Sequence, residues 1–190
     1  MRKLIIWNLM TLDGFFEGPH PWALDWHQYA WGAEMEAFSL EQGRAADTLL
    51  FGRRTYEGMA AYWATEDGEI ADMMNGIRKV VFSTTLARAE WNNTDLVRDD
   101  AAAEVARRKA LPGKDILVFG SSELGDTLLR AGLVDEYRIG VAPVVLGGGH
   151  PLFKPAPQPL PMALLSARPL QTGCVILSYR PGTAGGSAPA

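Results

Sequence analysis

The sequence predicts a single α/β domain: a mainly parallel twisted sheet with helices on both faces and an antiparallel strand at its C-terminal end. Three observations predict it. Short apolar runs alternate with longer helix-like segments through most of the chain, the pattern of strands joined by crossover helices. The last two apolar runs, residues 161–168 and 174–180, lie close together with no helical segment between them, so at least one runs antiparallel. A chain of 190 residues, 47% hydrophobic and 21% charged, is ordinary for one domain with a real core.

Taken in order, residues 3–10 form the first strand. TLDGFFEG, residues 11–18, is a loop with glycine where the chain turns sharply, and the aromatic stretch PHPWALDWHQYAW is irregular. Residues 34–42 read as a helix and 48–51 as the second strand. A short helix at 53–60 begins at an arginine pair, and 69–76 is helical. RKVVFSTTL, residues 78–86, is the third strand, and 94–97 a short one. The alanine-rich helix at 100–110 takes Asp99 or Asp100 as its cap. The strand 115–119 leads through Gly120 and Ser121 into a helix closed at Gly132, followed by a strand at 137–145. LGGGHPLF is a glycine-rich bend shaped by Gly147–Gly149, and the closing strand pair completes the domain, residues 1–180. From Pro181 to Ala190 the sequence has no core-forming residue and reads as a flexible tail.

Composition narrows the function. A net charge of -4 spreads no basic patch over the chain, so a nucleic-acid partner is not expected. One cysteine, Cys174, excludes an internal disulfide and a multi-cysteine zinc cluster, and fits a reducing cytoplasm. It reads as a small core residue. The apolar N-terminal run is broken by Asn8 and Asp13 before it could make a signal core or a membrane span.

Three strand ends carry the chemistry. The second strand ends in Gly52, Arg53, Arg54 and Thr55, the third in Ser83, Thr84 and Thr85, and residues 115–119 in Gly120, Ser121 and Ser122. In a parallel sheet these carboxyl ends share one edge, where open α/β sheets bind ligands. A strand, a glycine and a helix start suit an anion, because the first helical N–H groups are free and arginine adds a planar fork of donors. Neither G-x-G-x-x-G nor G-x-x-x-x-G-K-[ST] is present, so this is not a standard dinucleotide fingerprint or a P-loop.

GRRTYEGM, KVVFSTTL, TLDGFFEG and above all VFGSSELGDTLLRAGLVDEYRIGVAPVVLGGGHPLF resemble the dihydrofolate reductase-like superfamily, in the branch containing the reductase domain of riboflavin biosynthesis. The resemblance spans residues 3–180. It implies NADPH as cofactor, with Arg53 at the 2′-phosphate beside Arg54, Thr55 at the pyrophosphate, Ser83 and Thr84 at the 2′-phosphate, and the turn Gly120, Ser121, Ser122, Glu123 and Leu124 against the pyrophosphate. The family often has consecutive glycines, joined in dihydrofolate reductase by a cis peptide, where this chain has Gly120-Ser121. It also implies a homodimer, and the apolar, glycine-rich YRIGVAPVVLGGGHPLF is a surface a partner could cover. The H-x-E and P-C-x-x-C signature of the riboflavin zinc deaminase is absent.

The substrate side has two candidates, Asp25 and Asp13. Dihydrofolate reductases place a buried carboxylate shortly after a Pro-Trp pair, and Asp25 follows Pro21-Trp22 at a shorter spacing. In an apolar pocket among Trp22, Trp26 and Trp31 its acidity would suit protonation; the other reading is a helix cap. His27 has the same two readings. Asp13 is either a turn residue or part of a loop that the resemblance places beside the nicotinamide. His150 reads as part of the bend. The expected function is an NADPH-dependent reduction of a small, flat pterin- or pyrimidine-like substrate; the alternative is a protein that holds NADPH or a flavin without catalysis.

Overall fold

The computed structural model describes residues 1–182. In chain order the elements are β1 (Leu4–Thr11), β2 (Phe15–Glu17), a short 3-10 turn (Asp25–Tyr29), α1 (Ala33–Ala45), β3 (Ala46–Gly52), α2 (Arg53–Trp63) and α3 (Glu69–Gly76). There follow β4 (Arg78–Phe82), β5 (Thr94–Val97), α4 (Ala101–Ala110), β6 (Asp115–Phe119), α5 (Ser122–Arg130), β7 (Glu136–Ala142), β8 (His150–Pro151), β9 (Met162–Pro169) and β10 (Val175–Pro181). Eight strands make one sheet in the order β5-β4-β3-β6-β1-β7-β10-β9, and β2 pairs with β8 outside it. From β5 to β7 every pairing is parallel; β10 joins β7, and β9 joins β10, antiparallel.

Alternation along the strands decides which helices cover which face. Leu4 and Ile6 of β1, Leu50 of β3 and Val118 of β6 pack under Val105 of α4 and Leu124 and Leu128 of α5. Their neighbours Ile5, Leu49, Phe51 and Leu117 face the other way, onto Tyr56 of α2 and Met74 of α3. Trp7 continues that second face beneath Met35 and Phe38 of α1, together with the buried Cys174. Both faces are therefore dry, which is why these strands read as continuous apolar runs.

The differences from the sequence reading have local causes. Asp100 is the cap of α4, its carboxylate accepting from the N–H groups of Ala102 and Ala103. β4 stops at Phe82 because the Ser83 hydroxyl accepts from the N–H groups of Thr85 and Leu86, folding the chain into a turn where strand was expected. β7 ends at Ala142, before a proline that lacks a ladder donor. β10 runs on to Pro181, and Gly182 N–H donates to Pro161 O at 2.8 Å, so the expected tail does not begin at Pro181; residues 183–190 lie outside the described residues. No helix among the described residues is long and apolar enough to cross a membrane.

Lys79 gives the fold a pH signature. It is fully buried on β4, and its Nζ donates to the carbonyls of Met74 (2.7 Å), Asn75 (3.1 Å) and Ile77 (2.8 Å), closing the C-terminal end of α3 over the Trp91 ring. Burial pulls its pKa from 10.5 to about 8. Between those two values the unfolded chain holds a proton that the folded chain has lost, so this group adds stability as pH rises through that window. Cys174, pushed by burial from 9.0 to about 11, acts in the opposite sense above pH 9.0. The expected result is a thermal-melt difference between wild type and Lys79→Met that shifts in favour of wild type from pH 8 upward; parallel curves would contradict it.

Candidate functional site

The carboxyl ends of β4, β3 and β6 are adjacent, with Gly52 in register with Phe82. Topology alone thus brings the three strand-end segments to one crevice. Across it the β3–α2 and β6–α5 turns are tied together, because Gly52 N–H donates to Ser121 Oγ at 2.9 Å. Gly120 (φ 55°) and Ser121 (φ 57°) are both left-handed, and the peptide between them is trans. A Cβ on Gly120 would sit 3.0 Å from Thr55 Cγ2, so any larger residue there would have to push the Thr55 methyl back a few tenths of an ångström; glycine suits both this approach and the positive φ.

Neither α2 nor α5 has a side-chain cap at its N-terminus, and their cap positions, Gly52 and Ser121, are hydrogen-bonded neighbours. Two positive helix ends therefore open onto the same place, an arrangement that can hold a diphosphate. Gly120 N–H is held by Asn8 Oδ1 at 2.7 Å, while the buried Asn8 Nδ2 has no hydrogen-bond partner.

The arginine pair divides. Arg53 turns to the β4 end, where its guanidinium donates to Thr85 Oγ1 at 3.1 Å. Arg54 turns the other way, 4.0 Å from Glu17 Oε2. The Ser83 hydroxyl is engaged as the cap of its own turn, so Thr85 is the hydroxyl that meets Arg53. Arg98, just beyond β5, donates to the carbonyls of Thr84, Leu86 and Ala87 and wraps the loop from outside. Sequence reasoning grouped Thr85 with the strand-end hydroxyls but gave it no role, and passed over Arg98; the available signal for Arg98 was a basic residue at the end of a further parallel strand beside β4. Glu123, in the first turn of α5, pairs with Lys154.

The substrate-side candidates separate. Asp13 receives the Thr11 hydroxyl at 2.6 Å and the N–H groups of Leu146 and Gly147, at 3.1 and 2.7 Å. The Thr11 hydroxyl first, then those amides, draw its pKa down to about 2. It is an ionised clamp between the 11–14 turn and the glycine bend, unsuited to giving a proton near neutral pH. Asp25 is exposed, so the apolar enclosure expected around it does not form. Nor is it a cap, since Leu24 holds that position. Trp26 is the buried ring instead, and Trp22, at φ 63°, lays its indole on α2 where any Cβ at Gly58 would overlap it. Burial lowers His27 to about 4, which leaves it neutral at pH 7.

A further pair emerges from elements read as loop and bend. β2 and β8 pair in a register that sets Glu17 opposite His150. His150 Nδ1 lies 2.9 Å from Glu17 Oε2, and Glu17 Oε1 accepts from Trp22 N–H at 2.6 Å. Two such short strands carry no periodic signal, so sequence alone could not pair them.

Residues 2–176 match the RibD C-terminal domain family. The uncharacterized protein YyaP of Bacillus subtilis (strain 168) is 32% identical over 183 residues, covering 94% of either chain. Two solved structures share the fold. One is the diaminohydroxyphosphoribosylaminopyrimidine deaminase/5-amino-6-(5-phosphoribosylamino)uracil reductase of Thermotoga maritima, with TM-score 0.67 and 14% identity over 95% of this chain and 57% of that one. The other is the dihydrofolate reductase of Enterococcus faecalis complexed with NADP(H), with TM-score 0.62 and 13% identity over 94% of this chain and 96% of that one. The chain belongs to the RibD C-terminal domain family and has the dihydrofolate reductase-like fold.

Proposed function

We propose that the protein is an NADPH-dependent reductase of a small pyrimidine-type heterocycle. The observation that carries this reading is the joined pair of uncapped helix starts at Gly52 and Ser121, with Arg53 and Thr85 at the neighbouring strand end. The helix starts suit a diphosphate, and the arginine–hydroxyl pair suits a phosphate monoester beside it, the two anionic groups of NADPH. The orphaned Asn8 amide and the close approach at Gly120 fit a ligand that completes them. The reduced nicotinamide, when bound, supplies the hydride. The chain's own residues hold and orient: Arg53 and Thr85 grip the phosphate, Gly120 to Ser122 admit the diphosphate, and Asp13 fixes the turn at the end of β1. Family membership and the uracil reductase named for the Thermotoga protein support a pyrimidine as acceptor.

The test is loss of NADPH absorbance with ribosylaminopyrimidines and pterins offered in parallel. Turnover of a pyrimidine is expected; NADPH binding without turnover of any acceptor would favour a non-catalytic holder of the cofactor, and retention of a yellow chromophore on purification a flavin protein.

The same proposal includes a homodimer. β7 is paired on both sides, so the stretch expected to meet a partner offers only Val145 and Phe153 as large exposed apolar side chains, while the edge strand β9 adds Leu164 and Leu165. Light scattering should return a dimer mass, and a monomer mass across a wide concentration range would remove the proposal.

A further inference from the structure

Reduction of a C=N bond needs a hydride on carbon and a proton on nitrogen, and the residues expected to supply the proton are not the best-built source of it in the structure. Asp13 is an ionised clamp, His27 is neutral at pH 7, and Asp25 is exposed on its turn. The geometry points to Glu17 and His150 as the proton-delivering pair of the crevice, with His150 Nε2 as the atom that protonates the substrate. This rests on the reductase reading above.

The pair is built by the fold rather than scattered on the surface. The β2–β8 pairing sets Glu17 opposite His150, while Phe16 and Leu152 of the same segments pack into the core and anchor it. The Glu17 side chain is 13% exposed and that of His150 46%. Within the ring the exposure is uneven: Nδ1 is enclosed against the carboxylate at 2.9 Å, so the open edge carries Nε2. The Nδ1 contact is close but off the hydrogen-bond line, a looseness common in ligand-free sites that tightens when substrate is bound. A carboxylate at Nδ1 keeps a proton on that nitrogen. The neutral ring then presents Nε2 as an acceptor and the charged ring presents Nε2–H as a donor.

The surroundings place the pair at the crevice. Glu17 is approached by Arg54 from the first turn of α2, and its other oxygen holds the Trp22 backbone, whose indole lies on Gly58 of the same helix. From His150 the chain runs on to Lys154, which pairs with Glu123 in the first turn of α5. The charged groups on the elements beside the pair are Glu17 on β2, Arg54 on α2, Asp13 on the 11–14 turn, and the mutually paired Lys154 and Glu123. Among the described residues Glu17 is the one carboxylate within ion-pair distance of the imidazole.

The step balances. As hydride reaches the carbon, the π electron pair of the C=N bond moves onto nitrogen, which takes the proton from His150 Nε2. The imidazolium becomes neutral imidazole, held by Glu17, and regains its proton from solvent at its open edge; the cofactor leaves oxidised by two electrons.

Long-range 1H–15N spectra of protein labelled at its 3 histidines test the pair directly, with His150→Asn giving the assignment. The neutral His150 ring is expected to carry its proton on Nδ1, to shift on addition of NADP+, and to lose its preference for the Nδ1-protonated tautomer in Glu17→Gln. A ring indifferent to both NADP+ and Glu17→Gln overturns the pairing. With a pyrimidine acceptor, His150→Asn should bind NADPH within about twofold of wild type yet lose roughly 10²–10⁴ in kcat, and the wild-type rate should fall at high pH with the midpoint seen in the spectra. Full kcat in His150→Asn, or a midpoint unrelated to the ring, overturns the proton role. A wild type that binds NADPH but reduces no acceptor contradicts the reductase reading instead, and the spectra still decide whether the pair exists.

Discussion

Replacing Arg53 by alanine should weaken NADPH binding by about 1.5–3 kcal/mol, roughly 10- to 150-fold, and leave NADH within about twofold of wild type. The asymmetry is the informative part. Arg53 is half exposed and makes one hydrogen bond to Thr85 and a loose 3.8 Å contact with Glu57, so little of the fold depends on it. On the proposed reading, its planar fork would meet, of the two cofactors, only the phosphate that distinguishes them. Titration of intrinsic tryptophan fluorescence with each cofactor reads both affinities; equal weakening would remove the assigned role. Thr85→Val should act in the same direction and more weakly, because it removes one neutral hydroxyl and no charge.

Replacing Gly120 by valine should do the opposite, weakening both cofactors alike by roughly tenfold or more while costing about 1–3 kcal/mol in stability. Two independent causes add. A β-branched residue is strained at φ 55°, and its Cβ meets Thr55 Cγ2 at 3.0 Å, so the two turns must part where the uncapped helix starts come together. Both cofactors share the diphosphate, so both lose. Denaturant melts beside the two titrations separate the stability cost from the binding cost. Unchanged NADH affinity in a folded variant would show that the diphosphate lies elsewhere.

The main architecture was legible because its signals are local. Thr94–Val97, Asp115–Phe119 and Glu69–Gly76 stand where apolar content and period place them, and Asp100 caps α4 as its residue type suggests. The crevice was legible for a topological reason: three parallel strand ends must share an edge, so Gly52, Ser83 and Gly120 could be grouped before any coordinates. Individual hydroxyls were not. Whether Ser83, Thr84 or Thr85 faces Arg53 depends on a turn in which Ser83 caps its own loop, and that choice is made by backbone geometry.

The substrate side was least legible, because it depends on contacts distant in sequence. Asp25 looked suited to a proton role from its neighbours Trp22, Trp26 and Trp31, yet only Trp26 turns inward. Trp22 instead reaches Gly58, a contact visible only once α2 and the loop are folded together. Glu17 and His150 are joined by two strands too short to read. Asp13, a plain turn residue by position, is tied to the Leu146–Gly147 amides by a closure that its residue type permits but does not announce.

The most direct test of the NADPH reading is the affinity of the wild-type protein for NADPH and for NADH in one buffer at fixed ionic strength. With two uncapped helix starts for the shared diphosphate and an arginine–hydroxyl pair for the extra phosphate, both should bind, NADPH tighter by about tenfold or more. Equal affinities would contradict the phosphate site at Arg53 and Thr85, and failure to bind either would contradict the crevice as a dinucleotide site.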